Sequence, residues 1–430
     1  MSVNYKALAL GLGSVLLAAS CSNDEIERVN QGPEVTFNTA VSRAANITTA
    51  NLSEFKVWGQ AVNYTSNMII NGQIAKKQKD QNYFKIDDPV YWPSDIAKID
   101  FWGVSPSDVA ITMETQTKEI KNFTPAPQPN DQKDLIVAYE QASRSQGTSV
   151  KLTFNHALSQ IVVKAKRGQI SVGTDKTDET KEVLIKGAWI VNVLPTGTLA
   201  FNKNVGKEKH YMEWTPSGAK TSYGAEFSQI VNLSGHNDHD VLEYAEKAEK
   251  KNNNLMLVPQ KLDSWDLDDD SDKTANSSKG AYILLLCRVT TTHDGGTHEG
   301  AENTGGVQVG ENSHKHQLFP YTGNFDEQEY GYTCIPINTV WEPGKKYIYT
   351  LEFCGPTSGA GVYPNPDDLA SFPDGAGKYI KLIPDVEPKK TIGDPVLDQP
   401  IRFTVDVENW TNGWVNGDGE DTGGGNMGMK

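Results

Sequence analysis

Apolar and polar residues alternate with a period of two along most of this chain, and that pattern limits what it can fold into. Successive side chains of a strand point to opposite faces, so the alternation predicts sheets with one buried and one wet face. Val35, Phe37 and Val41 share one side of an early segment. Phe55, Val57, Gly59 and Ala61 repeat the pattern, followed by Val150, Leu152 and Phe154, then Ile161, Val163 and Ala165. Ile185, Gly187, Trp189, Val191 and Val193 are expected on one face, as are Tyr347, Tyr349, Leu351 and Phe353. The last run is the cleanest: Ile401, Phe403, Val405 and Val407 alternate with Arg402, Thr404, Asp406 and Glu408. Helix signals are few. Residues 240–251 read as a surface helix or a loop, and no long helix alternates with the strands, against a doubly wound α/β sheet. The class is all-β, arranged as two sandwiches.

A chain of 430 residues has room for two or three domains. The best boundary is the polar stretch 168–182, which separates an N-terminal unit (34–168) from a C-terminal unit (182–412). Loops low in complexity fall at 262–280, 291–317 and 355–377, and residues 413–430 form a flexible Gly-rich tail. A net charge of −15 argues against a nucleic-acid partner, which calls for a basic patch. The only long apolar run, residues 7–19, is shorter than the ~20 residues of a spanning helix.

That run belongs to an address. Lys6, the apolar stretch and the small residues after it make residues 1–20 a secretory signal. Ala18-Ala19-Ser20-Cys21 resembles a lipobox, with Ala18 where the motif prefers Leu. Cys21 is then the lipidated N-terminus, and two or more acyl chains anchor a protein stably. Ordinary secretion that leaves Cys21 free is the alternative. Residues 21–33 form an acidic tether. The other cysteines, Cys287, Cys334 and Cys354, have no metal spacing and read as buried thiols, with one disulfide among them an open option.

Candidate chemistry is thin. Asp266, Asp268, Asp270 and Asp272 alternate, but Ser271 and Ser277 stand where a calcium loop needs Gly and a bidentate Glu. His293, His298, His314 and His316 fall in one Gly-rich loop, where solvated surface histidines are the plainer reading than a metal site. His156 reads as a hydrogen-bonded structural residue. No nucleophile elbow, zincin helix or phosphate loop occurs in the mature chain. We expect no enzyme, no metal and no cofactor. The nine tryptophans include possible sugar-stacking surfaces, though core packing is their ordinary use.

The order of motifs adds a resemblance. VTFNTAVSRA, EFKVWG, VYWPSDIAKIDFWGVSP, DLIVAYE, VKLTFNHALSQIVVKAK, LMLVPQ, WEPGKKYIYTLEF and FTVDVENW together resemble the fimbrillin (Mfa-like) family of lipoprotein pilins, over most of residues 34–412. The resemblance implies two tandem transthyretin-like β-sandwich domains and export to the outer membrane through a lipid anchor. It also implies cleavage after an arginine by a trypsin-like protease. Loss of the first strand then opens a groove, which a strand from another pilin subunit fills. Arg43 is the matching cleavage site, with Arg28 as the alternative, and Val35, Phe37 and Val41 would leave with the released strand. Ile401, Phe403, Val405 and Val407 form either the donor strand or the closing strand of the second domain. Partners are other pilin subunits, the outer membrane and a receptor on a host or bacterial surface. The rival reading is a carbohydrate-binding surface lipoprotein that never polymerises.

Overall fold

The computed structural model describes residues 32–41, 52–62, 68–79, 81, 83–109, 118–168, 180–201, 212–233, 236–242, 254–294, 306–321, 325–369 and 390–410. They are nearly all β. The chain first lays down β1 (Thr36–Val41), β2 (Glu54–Ala61), β3 (Met68–Lys77), β4 (Tyr83–Ile86) and β5 (Lys98–Ser105). Then follow β6 (Glu119–Phe123), β7 (Ile136–Ser143) and β8 (Ser149–His156). All of these except β6 form one sheet, in the order β1-β4-β3-β2-β5-β7-β8, and β8 returns to β1 to close it into a barrel. Most neighbours are antiparallel, but β1 runs parallel to β8, from Thr36 opposite Ser149 to Val41 opposite Phe154.

The inward positions of the alternating runs fill the barrel. Phe37, Phe55, Phe84, Phe101, Phe154 and Trp92 are all buried there with Val57, Val150 and Leu152. Gly103 in β5 makes room for this packing, since a Cβ would lie 2.7 Å from the Phe154 ring.

The rest of the chain supplies β9 (Ser159–Arg167), β10 (Thr180–Val193), β11 (Thr196–Phe201), β12 (Met212–Ser217), β13 (Thr221–Asn232), β14 (His239–Asp240) and β15 (Leu255–Leu257). After a helix α1 (Lys273–Lys279) come β16 (Tyr282–Asp294), β17 (Val307–Gln308), β18 (Ser313–Phe319), β19 (Gly331–Pro336) and β20 (Lys345–Phe353). A single helical turn α2 (Pro366–Leu369) precedes β21 (Arg402–Asn409). One sheet runs β13-β10-β16-β18-β17, with β19 also on β16, and another runs β14-β9-β20-β21, with β15 also on β9. Ile161, Val163 and Ala165 of β9, Tyr347 to Phe353 at alternate positions of β20, and Ile283, Leu285 and Cys287 of β16 meet in the core between them. A small sheet, β12-β11-β6, joins the two halves of the chain. Its Ile120, Leu199, Phe201 and Met212 pack with Trp58, Trp102 and Val137 of the barrel strands.

β10 departs from the expected single-face alternation. Its register shifts between Ile185 and Gly187 and again between Ile190 and Val193. Each bulge carries the side-chain phase to the other face. Ile185, Ala188, Ile190 and Val193 therefore face the inter-sheet core, whereas Trp189 and Val191 pack on the opposite face with Leu284, Leu286 and Tyr332.

The aspartate loop is used for capping. The Asp269 side chain accepts from Ser271 N, and Asp272 accepts from Ala275 N at the start of α1. Such caps satisfy amides that a helix start leaves unpaired. The histidines are also not confined to a loop: His293 lies on β16, and His314 and His316 lie on β18. Cys287, Cys334 and Cys354 are buried and form no disulfide, and burial pushes the Cys287 and Cys334 thiols up. No helix among the described residues is long and apolar enough to cross a membrane. Residues 1–20, Cys21, most of the tether, Arg28, Arg43, His298, residues 169–179 of the boundary stretch and the tail lie outside the described residues.

Candidate functional site

The first strand and the groove that holds it form the candidate site. Residues 32–35 approach before β1 begins. Trp92 N donates to Pro33 O at 3.1 Å, and Val35 N donates to Val90 O at 2.8 Å. Lys85 Nζ contacts Glu34 Oε2 at 2.9 Å on the half-exposed rim. β1 then enters a slot between β4 and β8. Asn38 Nδ2 donates to Ser149 Oγ at 2.8 Å from the outer face.

Two apolar side chains of this segment are buried in the barrel. Val35 is buried, and Phe37 has no exposed surface at all. The Phe37 ring meets Phe55 edge-on at 5.9 Å and Phe101 at 5.7 Å, while Phe154 lies 5.1 Å from Phe55. Edge-to-face aromatic pairs of this kind add to simple burial. Together Val35 and Phe37 contribute on the order of 3–6 kcal/mol by removing apolar surface from water. The third residue of the set, Val41, sits opposite Phe154 at the end of the strand. Take β1 away and β8 keeps only β7 and β4 keeps only β3, while an aromatic pocket floored by Phe55 and Phe101 opens. Unpaired backbone over apolar pockets is what an incoming strand needs.

The last strand is arranged differently. β21 pairs along its length with β20, from Lys345 opposite Asn409 to Glu352 opposite Arg402. It ends the order of its sheet, so no strand of the described residues pairs its far edge. Ile401 and Val405 are buried, and Phe403 and Val407 pack half-buried against the same core.

β21 ends on a contact that sequence reasoning missed. Trp410 donates its backbone amide to Gly344 O at 2.8 Å, and its ring stacks on His156 at 4.2 Å and 18°. His156 Nδ1 in turn lies 3.0 Å and 2.9 Å from the two carboxylate oxygens of buried Asp134. His156 is the last residue of β8, the strand that holds β1. The end of β21 is thus packed against the end of β8, two residues beyond the last position that pairs with β1. The hint in sequence was the single histidine beside an apolar motif; its partners are 22 and 254 positions away along the chain.

Seven of the nine tryptophans are no more than 8% exposed, Trp214 is half-buried, and Trp414 lies outside the described residues. A sugar-stacking platform therefore finds no exposed tryptophan among the described residues.

A family model described as fimbrillin-like matches residues 39–361, about three quarters of the chain. The chain belongs to the fimbrillin-like family. Among curated proteins none matches it. Among solved structures, a candidate cell adhesion protein from Parabacteroides distasonis is 9% identical, covers 88% of this chain and 99% of its own, and has a TM-score of 0.42. A candidate cell adhesion protein from Bacteroides uniformis is 12% identical, with 88% and 98% covered and a TM-score of 0.37. A candidate polysaccharide-binding protein from Bacteroides thetaiotaomicron is 8% identical, with 48% and 79% covered and a TM-score of 0.24. None of these likenesses is close enough to bear on function. In this fimbrillin-like chain the family match begins inside β1, at residue 39, and ends before β21.

Proposed function

We propose that this chain is a structural, non-enzymatic subunit of a surface pilus that serves adhesion. Family membership supports the pilus- and adhesion-related role. In this reading Cys21 carries the acyl chains that hold the subunit at the outer membrane, and the acidic residues after it tether the folded part. A trypsin-like protease cuts after Arg43, two residues beyond the end of β1. A cut after Arg28 would leave β1 attached, so Arg43 is the site that frees Val35, Phe37 and Val41. A strand from another subunit then fills the slot.

The observation that carries the reading is the seat of β1, a seam strand between β4 and β8 whose inward residues lie in an aromatic core. β21 has the alternation a donor needs, but it is seated on β20 and would have to leave that sheet to donate. Arg43→Ala should leave the protein monomeric and membrane-tethered after protease treatment. Polymers formed normally by that variant would remove Arg43 from the mechanism.

A further inference from the structure

Three histidines outside the groove meet on one face of a β-ribbon. β16 and β18 are antiparallel, with His293 directly opposite His314 and Thr291 opposite His316. Residues directly opposite each other share a face, and so do residues two apart on one strand. His293, His314 and His316 therefore point to the same side, and all three are half-buried. The His293 ring lies 5.1 Å from that of His316 and 6.1 Å from that of His314, centre to centre. Gly306, just before β17, leaves space for the third ring: a Cβ there would lie 2.4 Å from His316.

We propose that these three histidines form a binding site for an imidazole-preferring divalent transition metal such as zinc. A zinc–nitrogen bond of ~2.1 Å, with ~1.1 Å more from nitrogen to ring centre, places the centres of two tetrahedral imidazole ligands ~5.2 Å apart. The observed separations of 5.1 and 6.1 Å are already near that value. As they stand, the His293 and His316 rings are stacked within 3° of parallel, and no three ligating groups among the described residues converge on one point. Closing the site takes side-chain rotation on a paired strand scaffold that already sets the spacing. Three imidazoles leave a fourth position for water or for a ligand from another molecule.

Lys315 alternates with the histidines of its strand and so faces the other way, where it pairs with Glu182 at 2.6 Å. Lys181 of β10, opposite Thr291, shares the histidine face. It makes the site less welcoming to a cation than a neutral setting would, and it sits one strand away from the His293–His314 pair.

The test is zinc titration against a competing chromogenic chelator, with the full chain purified without a polyhistidine tag. Cobalt serves as a second probe, because its visible absorption reports tetrahedral nitrogen ligation. One equivalent of zinc should bind, and His293→Ala or His314→Ala should weaken it by at least about tenfold. His236→Ala, away from the ribbon, should change it less than about twofold. His316→Gln keeps a polar side chain of similar reach and provides the loss-of-ligand result should an alanine variant fail to fold. No uptake at millimolar zinc, or uptake that the ribbon variants leave unchanged, would overturn the assignment.

Discussion

β1 and β21 carry the same alternation and occupy opposite kinds of position. β1 is a seam: it is paired on both sides, and Phe37 is enclosed by the barrel it closes. β21 is an edge among the described residues: it is paired there on one side only, and two of the four apolar residues of the run 401–407 are half-exposed. Removing a seam opens a barrel and strands two backbones. Removing an edge uncovers one. In the proposed assembly β1 is thus the strand whose loss would open an acceptor slot, and β21 the strand whose detachment would disturb the fold less. What separates them is the neighbours each finds, which no local pattern records.

The largest effect should come from emptying the seam. Phe37→Ala removes a ring from a closed aromatic cluster and should cost about 3–5 kcal/mol in denaturant unfolding. A cost under 1 kcal/mol would mean that β1 is not held as described.

Trp410→Ala tests what ties the edge strand to the end of β8. It uncovers the His156–Asp134 pair at the margin of its cluster and should cost about 3 kcal/mol. Amide exchange should then quicken along β21 while β1 keeps its protection. Equal loss in both strands would merge them into one cooperative unit and end the comparison.

The smallest effect is a control on a sheet that neither strand joins. Burial works to raise the Glu182 carboxyl, but hydrogen bonds from Lys315 and Asn232 and the nearby positive charges outweigh it and hold the group below its usual value. A carboxyl lowered on folding stabilises above its unfolded value of 4.5, and that gain fades as the pH falls through the lower folded value. Glu182→Gln should therefore cost about 1 kcal/mol or less at pH 7, and the gap to wild type should close in acid. A gap that widens in acid would contradict the sign.

The sequence announced strands because side-chain alternation is a local property, and the inward faces of β8, β9 and β20 lie where that alternation places them. Closure was not legible. The parallel pairing of β1 with β8 joins residues more than a hundred positions apart, with no turn signal between them. The bulges of β10 were hidden for another reason: Gly187 and Trp189 keep the apolar phase on paper while the backbone changes it. The histidines were obscured by their setting, since Gly-rich flanks read as loop although Ser313–Phe319 pairs firmly with β16. Of the alternating aspartates, Asp272 serves as a helix cap, because the same short carboxylates that bind cations also cap helix starts.

The most direct measurement is light digestion of the purified chain with a trypsin-like protease, followed by electron microscopy and sequencing of the new N-terminus. Under strand exchange, ladders and filaments whose subunits begin at Ala44 are expected. A stable monomer beginning at Ala44, or filaments that retain β1, would contradict it.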